Sequence, residues 1–283
     1  MHFLREFWMG ISSYADALRF IRQHKLGWYA LIPATLMLLI FHLGYRLMNR
    51  TPDFDFSNMN GIVWYCIQSL FEILLALTLM KFTKYIVVIV LSPLLSHLSQ
   101  KCERIIGTPD VTTTWADFKS DIMRSLRLTV RNIFWEYAIF ILLIIICLIG
   151  WDNPMKSPIY YISFIVGFYF YGFSFLDYHN ERIRRSAADA VEFTRAHRGL
   201  AMGIGAVYSL LISIPIQLDY LFVTDPESFS TWQNWKNFLI HFALWVAASI
   251  APILAIVAAT LSSNQLERES EKILVEDNES VLG

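Results

Sequence analysis

The residues of this sequence that could do chemistry lie beside or inside its apolar stretches. Arg22, Lys25 and Gly27 come directly before a long apolar run. A tetrahedral anion is held well by backbone N–H groups at a helix start together with a positive side chain. These three residues are therefore candidates for an anion-binding site. The alternative is an interfacial helix with Lys and Trp anchors.

Two ionisable residues, Glu72 and Arg46, lie within apolar runs. A charge inside the hydrocarbon core is costly, so each is a candidate for a substrate or proton pathway. The structural alternative for Glu72 is a carboxylate that is hydrogen-bonded at helix contacts or protonated. For Arg46 the alternative is a side chain that snorkels to the headgroups.

Asp177 and Tyr178 end an apolar stretch, next to a basic group that begins at Arg182. We expect a cap and a salt bridge that fix the chain where it leaves this stretch. The more specific alternative is that Asp177 and Tyr178 form a gate for a transported substrate.

Gly199, Gly203 and Gly205 form a ridge of small residues of the kind that lets two helices approach closely. They predict a helix-packing surface. Whether the partner helix belongs to the same subunit is left open by the sequence.

Other chemistry is not indicated. The three cysteines have no CxxC spacing, and the seven histidines include no HExxH pair. No nucleophile with an adjacent base and no paired carboxylates are visible. We therefore predict no catalytic residue, no metal, no cofactor and no enzyme activity, and no nucleic acid as partner.

The composition predicts that these residues are positioned by membrane helices. Of 283 residues 55% are hydrophobic and 17% are charged, and the mean hydropathy is +0.45. Only structures that satisfy their own backbone polar groups can cross a bilayer, and helices do so within one segment. The expected fold is an all-α integral membrane protein in contact with the lipid bilayer.

Apolar runs of suitable length predict four full transmembrane helices, a helical hairpin and amphipathic cytoplasmic helices. We assign one membrane domain over 1–263 and an acidic cytoplasmic tail over 264–283. The predicted spans are 28–48, a long helix 61–98, the hairpin arms 134–150 and 159–176, and the spans 199–218 and 238–262.

Lys81 and Lys84 interrupt the long run, so the chain either turns there or continues as one helix. Since no Gly, Pro or Asn marks a turn at these lysines, we favour one helix.

Basic residues predict the orientation. With a cytoplasmic N-terminus, seventeen of the 23 Lys and Arg residues lie in inside segments and three lie outside. The positive-inside rule then predicts a multi-pass protein with both termini in the cytoplasm. Basic segments flank the hairpin on both sides, so it must enter and leave from the cytoplasmic face, to a depth that stays open.

Several short motifs between residues 15 and 262 resemble the CysZ-type sulfate permease family, which shares the etoposide-induced-protein domain with eukaryotic endoplasmic-reticulum members. They are Ala17-Leu18-Arg19-Phe20-Ile21, His24-Lys25-Leu26 with Leu31-Ile32-Pro33, Ser92-Pro93-Leu94-Leu95, Phe175-Leu176-Asp177-Tyr178, His197-Arg198-Gly199-Leu200-Ala201 with Ile214-Pro215, and Ala251-Pro252-Ile253.

The resemblance implies a half-penetrating hairpin, a homo-oligomer, a location in the bacterial inner membrane and movement of sulfate into the cytoplasm. One departure concerns specificity. Where sulfate-transporting members carry a Gly-x-Arg-Arg run before the first span, this chain, aligned on Pro33, reads Lys25-Leu26-Gly27-Trp28. The predicted function is a permease or channel for a small oxyanion such as sulfate. The alternative is a non-transporting membrane scaffold or lipid-interacting protein.

Overall fold

The computed structural model describes residues 2–48, 59–107, 115–153, 156–213 and 232–282, and these residues contain helices and no β-strand. The helices are α1 (His2–Gln23), a short 3-10 helix (Leu26–Ala30), α2 (Leu31–Met48), α3 (Met59–Ile106), α4 (Trp115–Gly150), α5 (Pro158–Arg182), α6 (Ala187–Ala196), α7 (Arg198–Ser213) and α8 (Trp232–Leu282). The predicted all-α fold is confirmed.

α1 is an amphipathic helix whose small and apolar residues share one face. Gly10, Tyr14, Ala17 and Ile21 recur every three or four residues and are buried. The helix ends at Gln23, and Lys25 follows with a φ of 54°, in the left-handed region. This backbone turn separates α1 from the 3-10 helix, which leads directly into α2.

α3 and α8 are long helices that continue past the predicted ends of their spans. α3 passes Lys81 and Lys84 without a break and ends at Ile106, eight residues beyond the predicted end at 98. α8 runs through the segment assigned as the acidic tail and ends at Leu282.

α4 and α5 form the hairpin. The amphipathic segment that precedes the predicted first arm is part of the same helix, α4. Ser157 caps α5 by accepting a hydrogen bond from the Ile159 N–H, and Pro158 occupies its first turn. α5 extends to Arg182, past the predicted end at 176, so Asp177 and Tyr178 lie inside a helix and not at its end.

The residues form two compact units, each described separately. The larger unit contains 1–28, 93–215 and 250–283. Within it, α7 packs against α1 and α5, and α4 packs against α5. Its fully buried side chains include Phe175, Leu200, Ile204 and Ile256.

The smaller unit contains residues 29–92 and 216–249, that is α2 and parts of α3 and α8. Within it, the Ser249 hydroxyl donates to the Trp245 carbonyl oxygen at 2.7 Å and lies 3.6 Å from the Met37 sulfur. Residues 214–231, which include the predicted end of the span 199–218, lie outside the described ranges.

Three described helices are long and apolar enough to cross a membrane: Val130–Gly150, Pro158–Arg182 and Trp232–Glu269. The hairpin exposes apolar side chains along both arms, including Phe134, Ile149 and Phe164. A large exposed apolar surface of this kind is favourable next to lipid tails and unfavourable in water. Four full spans and the depth of the hairpin remain predictions.

Candidate functional site

Charged side chains from α3, α5, α8 and the segment after α5 form a buried or partly buried cluster in the larger unit, which we call the ionic network: Glu103, His179, Arg182, Arg185 and Glu267. The His179 side chain is 1% exposed. Its Nδ1 lies 3.2 Å from Glu103 Oε1, and its Nε2 lies 3.1 Å from Glu267 Oε1. The imidazole thus joins a carboxylate of α3 to one of α8.

Two arginines complete the ionic network. Arg182 Nε donates to Glu103 Oε2 at 3.1 Å, and both side chains are buried. Arg185 Nη2 donates to Glu267 Oε1 at 2.9 Å, while its Nη1 donates to Asn180 Oδ1 at 2.8 Å. Each carboxylate therefore faces one guanidinium and one ring nitrogen. Charges removed from water are stable only when paired in this way.

A second buried ion pair joins the two hairpin arms. Arg124 Nη2 on α4 donates to Asp177 Oδ1 on α5 at 3.0 Å. Both side chains are mostly removed from solvent, with exposures of 17% and 7%. This pair fixes how the arms are aligned at the end where α5 approaches the ionic network.

A third polar contact holds α1 against the start of α7. Glu6 on α1 is 1% exposed, and its Oε1 lies 2.6 Å from His197 Nδ1 and 3.0 Å from His2 Nδ1. About two helical turns further along α1, the Tyr14 hydroxyl donates to the Ile204 carbonyl oxygen of α7 at 2.8 Å. Burial raises the pKa of Tyr14, so the hydroxyl keeps the proton that it donates.

Of the three predicted anion-site residues, Arg22 lies in the last turn of α1, and Lys25 and Gly27 follow that helix. Arg22, Lys25 and Gly27 are all exposed. A side chain added at Gly27 would meet no neighbour within 4 Å, so nothing crowds this turn. An anion site here stays a prediction.

The two intramembrane candidates lie in the smaller unit. Glu72 is partly exposed on α3, and its Oε1 accepts a hydrogen bond from Gln68 Nε2 at 3.0 Å. Arg46 lies on α2, outside the residues whose side chains the structure describes. A pathway role for either residue stays a prediction.

Asp177 and Tyr178 are both buried. The salt bridge expected at the hairpin exit is present at Asp177, and its partner is Arg124 on the opposite arm. The neighbouring Arg182 pairs instead with Glu103. A gate role for the two residues stays a prediction.

The glycine ridge packs within this chain. A Cβ atom added at Gly199 or Gly203 would collide with the backbone oxygens of Phe3 and Phe7 on α1. One added at Gly205 would collide with the backbone oxygen of Phe168 on α5. α7 therefore approaches two helices of the same subunit backbone to backbone, which only glycine permits here.

Sequence reasoning missed the acids of the ionic network. One sequence signal for Glu103 exists, because it follows Leu95 and Ser99 at intervals of four residues and so shares their helix face. The structure buries all three residues. An acid on an apolar stripe needs a partner, which the sequence does not identify. His179 and Glu267 are 88 residues apart, and nothing local connects them.

The apolar helices define a helical integral membrane protein. The chain belongs to the family described as sulfate transporter CysZ/etoposide-induced protein 2.4, whose model matches residues 13–224. That range contains Glu103, Asp177 and His179 and ends before Glu267.

Two curated relatives support this assignment. The proteins named sulfate transporter CysZ from Pseudomonas aeruginosa strains LESB58 and PAO1 are each 26% identical to this chain over 222 residues. The alignment covers 73% of this chain and 87% of each relative. With the apolar helices, this similarity identifies a bacterial membrane protein of a transporter family.

Proposed function

We propose that this protein is a membrane permease or channel for a small oxyanion such as sulfate. The observation that carries the proposal is the family match over residues 13–224, with relatives named as sulfate transporters. A tetrahedral dianion also suits the basic segments at the helix ends, because guanidinium groups bind such oxygens with directed hydrogen bonds.

We further propose that both termini lie in the cytoplasm of a bacterium and that the protein crosses the inner membrane four times. The hairpin of α4 and α5 then enters and leaves from the cytoplasmic face. The support is the distribution of basic residues, of which seventeen fall on the proposed inner side. Assembly of several copies is part of this proposal, since the exposed apolar arms can cover one another.

Sulfate accumulation in cells tests the function. A bacterial strain without its own sulfate uptake, producing this protein, should accumulate radioactive sulfate faster than the same strain with an empty vector. Excess unlabelled selenate should reduce the rate, because it has the same charge and shape. Uptake equal to the vector control, with the protein present in the membrane, would contradict the proposal.

A non-transporting membrane scaffold is the second candidate, favoured by the apolar surface of the hairpin. It predicts no sulfate uptake together with lipid or a partner protein that co-purifies in fixed stoichiometry.

A further inference from the structure

Arginines from α4, α6 and α7 lie near Tyr169 on α5. Leu128, Phe173 and Val191 form a buried apolar cluster, with Tyr169 packed against it. Arg131 is one turn along α4 from Leu128, and Arg195 is one turn along α6 from Val191. Residues three or four apart lie on the same helix face, so both arginines lie beside this cluster.

Arg131 is held in place but is not satisfied. Its guanidinium lies 5.7 Å from the centre of the Phe173 ring. Its Nε is buried and has no hydrogen-bond partner among the described residues, and its Nη2 makes a long contact of 3.4 Å to Asn132 Oδ1. A buried N–H of a cation that lacks an acceptor is costly, and a bound anion would satisfy it.

Most of the charges near Arg131 and Tyr169 are positive. Arg195 lies within electrostatic range of Arg131, and Arg131, Arg195 and Arg198 all lie within electrostatic range of Tyr169. Within the described ranges, none of these three arginines forms an ion pair with a carboxylate. Asp177 also acts on Arg131, but its Oδ1 is engaged by Arg124 at 3.0 Å. Like charges near one another repel, and an anion bound among them would remove that repulsion.

We propose that Arg131, Arg195 and Arg198, with Tyr169 beside them, bind a tetrahedral oxyanion. The ligand is either a free dianion such as sulfate or the phosphate of a lipid headgroup. Arg131 stands at the start of the apolar helix Val130–Gly150, the level at which headgroup phosphates are found. The possibility that the ligand is a free dianion rests on the proposed function. The site is separate from the candidate site at Arg22, Lys25 and Gly27.

Titration calorimetry of the full-length protein in detergent, with sodium sulfate as the probe, tests whether the site binds a free anion. Arg131→Gln and Arg195→Gln should each weaken sulfate binding about tenfold or more, the effect of losing a charge-assisted hydrogen bond. Arg104→Gln is the matched control, because Arg104 is an exposed arginine on α3, which contributes no residue to the proposed site. It should change the Kd less than twofold.

Native mass spectrometry of protein purified from membranes rich in phosphatidylglycerol tests whether the site binds a lipid headgroup. The wild-type protein and Arg104→Gln should retain bound phosphatidylglycerol that Arg131→Gln and Arg195→Gln lose. Loss of sulfate binding alone assigns the site to a free anion, and loss of the lipid alone assigns it to a headgroup. If neither ligand is weakened by either variant, the proposal is overturned.

Two further measurements distinguish a loss of binding from a folding defect, and sulfate binding from sulfate transport. Arg195 is exposed, so Arg195→Gln should elute from size exclusion as the wild-type protein does, even where Arg131→Gln does not fold. Sulfate binding at this site without sulfate flux would refute the proposed function and leave the site in place.

Discussion

At the scale of residues, the buried charged side chains of this protein are paired with one another. His179 lies between Glu103 and Glu267, and both carboxylates also face an arginine. The sequence shows that these charges exist but not which of them meet. Pairing across 76 and more residues is decided by how helices pack, and it therefore could not be predicted from local pattern.

Glu103→Gln should destabilise the protein strongly. The amide keeps the size of the side chain but leaves Arg182 and His179 without their shared carboxylate, and breaking a buried pair costs about 3 kcal/mol or more. Thermal unfolding in detergent, followed by tryptophan fluorescence, measures the change.

The control for this change is Glu192→Gln on α6, which makes the same chemical substitution at an exposed position. It should alter stability by less than about 0.5 kcal/mol. Equal melting temperatures for Glu103→Gln and the wild-type protein would show that the ionic network contributes little.

At the scale of elements, hydrophobic length and turn residues predicted most helices, but not where they end. The absence of Gly, Pro and Asn near Lys81 predicted one helix, and α3 is one helix. The predicted hairpin arm ends at 176, before Asp177 and His179, whereas α5 extends to Arg182. Their side chains find partners on α3, α4 and α8, so the helix continues through them to Arg182.

Glycine spacing predicted a packing surface on α7, and the structure identifies its partners as α1 and α5. The sequence could not do so, because the same spacing serves contacts within and between subunits.

Gly205→Ala should separate α7 from α5 and lower stability. Alanine is normally favoured over glycine in a helix by about 1 kcal/mol. Here its Cβ would overlap the backbone oxygen of Phe168, and such overpacking costs about 1–3 kcal/mol. The melting temperature in detergent should fall.

Gly150→Ala provides the comparison, since an added Cβ at the end of α4 meets nothing within 4 Å. Its melting temperature should stay the same or rise slightly. A fall of equal size in both variants would mean that the α5–α7 contact is looser than the structure shows.

At the scale of the whole molecule, the distribution of basic residues determines the proposed topology. This is a property of the full chain that no single helix reveals. It places α6 and the first part of α4 on the cytoplasmic side of the membrane, and Lys236 at the start of α8 on the other side.

Cysteine labelling in whole cells tests that topology. In a background with Cys66, Cys102 and Cys147 changed to Ser, Arg127→Cys and Glu192→Cys should react with a membrane-impermeant maleimide only after the inner membrane is opened. Lys236→Cys should react in cells whose inner membrane is intact. Labelling of Arg127→Cys or Glu192→Cys in such cells would mean that the hairpin does not return to the cytoplasmic side.

Sulfate flux into liposomes that contain only this purified protein tests the central claim most directly. We expect radioactive sulfate to enter faster than into protein-free liposomes, and unlabelled selenate to compete for entry. Equal entry with and without the protein, repeated for selenate and phosphate and with the reconstituted protein still folded, would contradict a role in oxyanion transport.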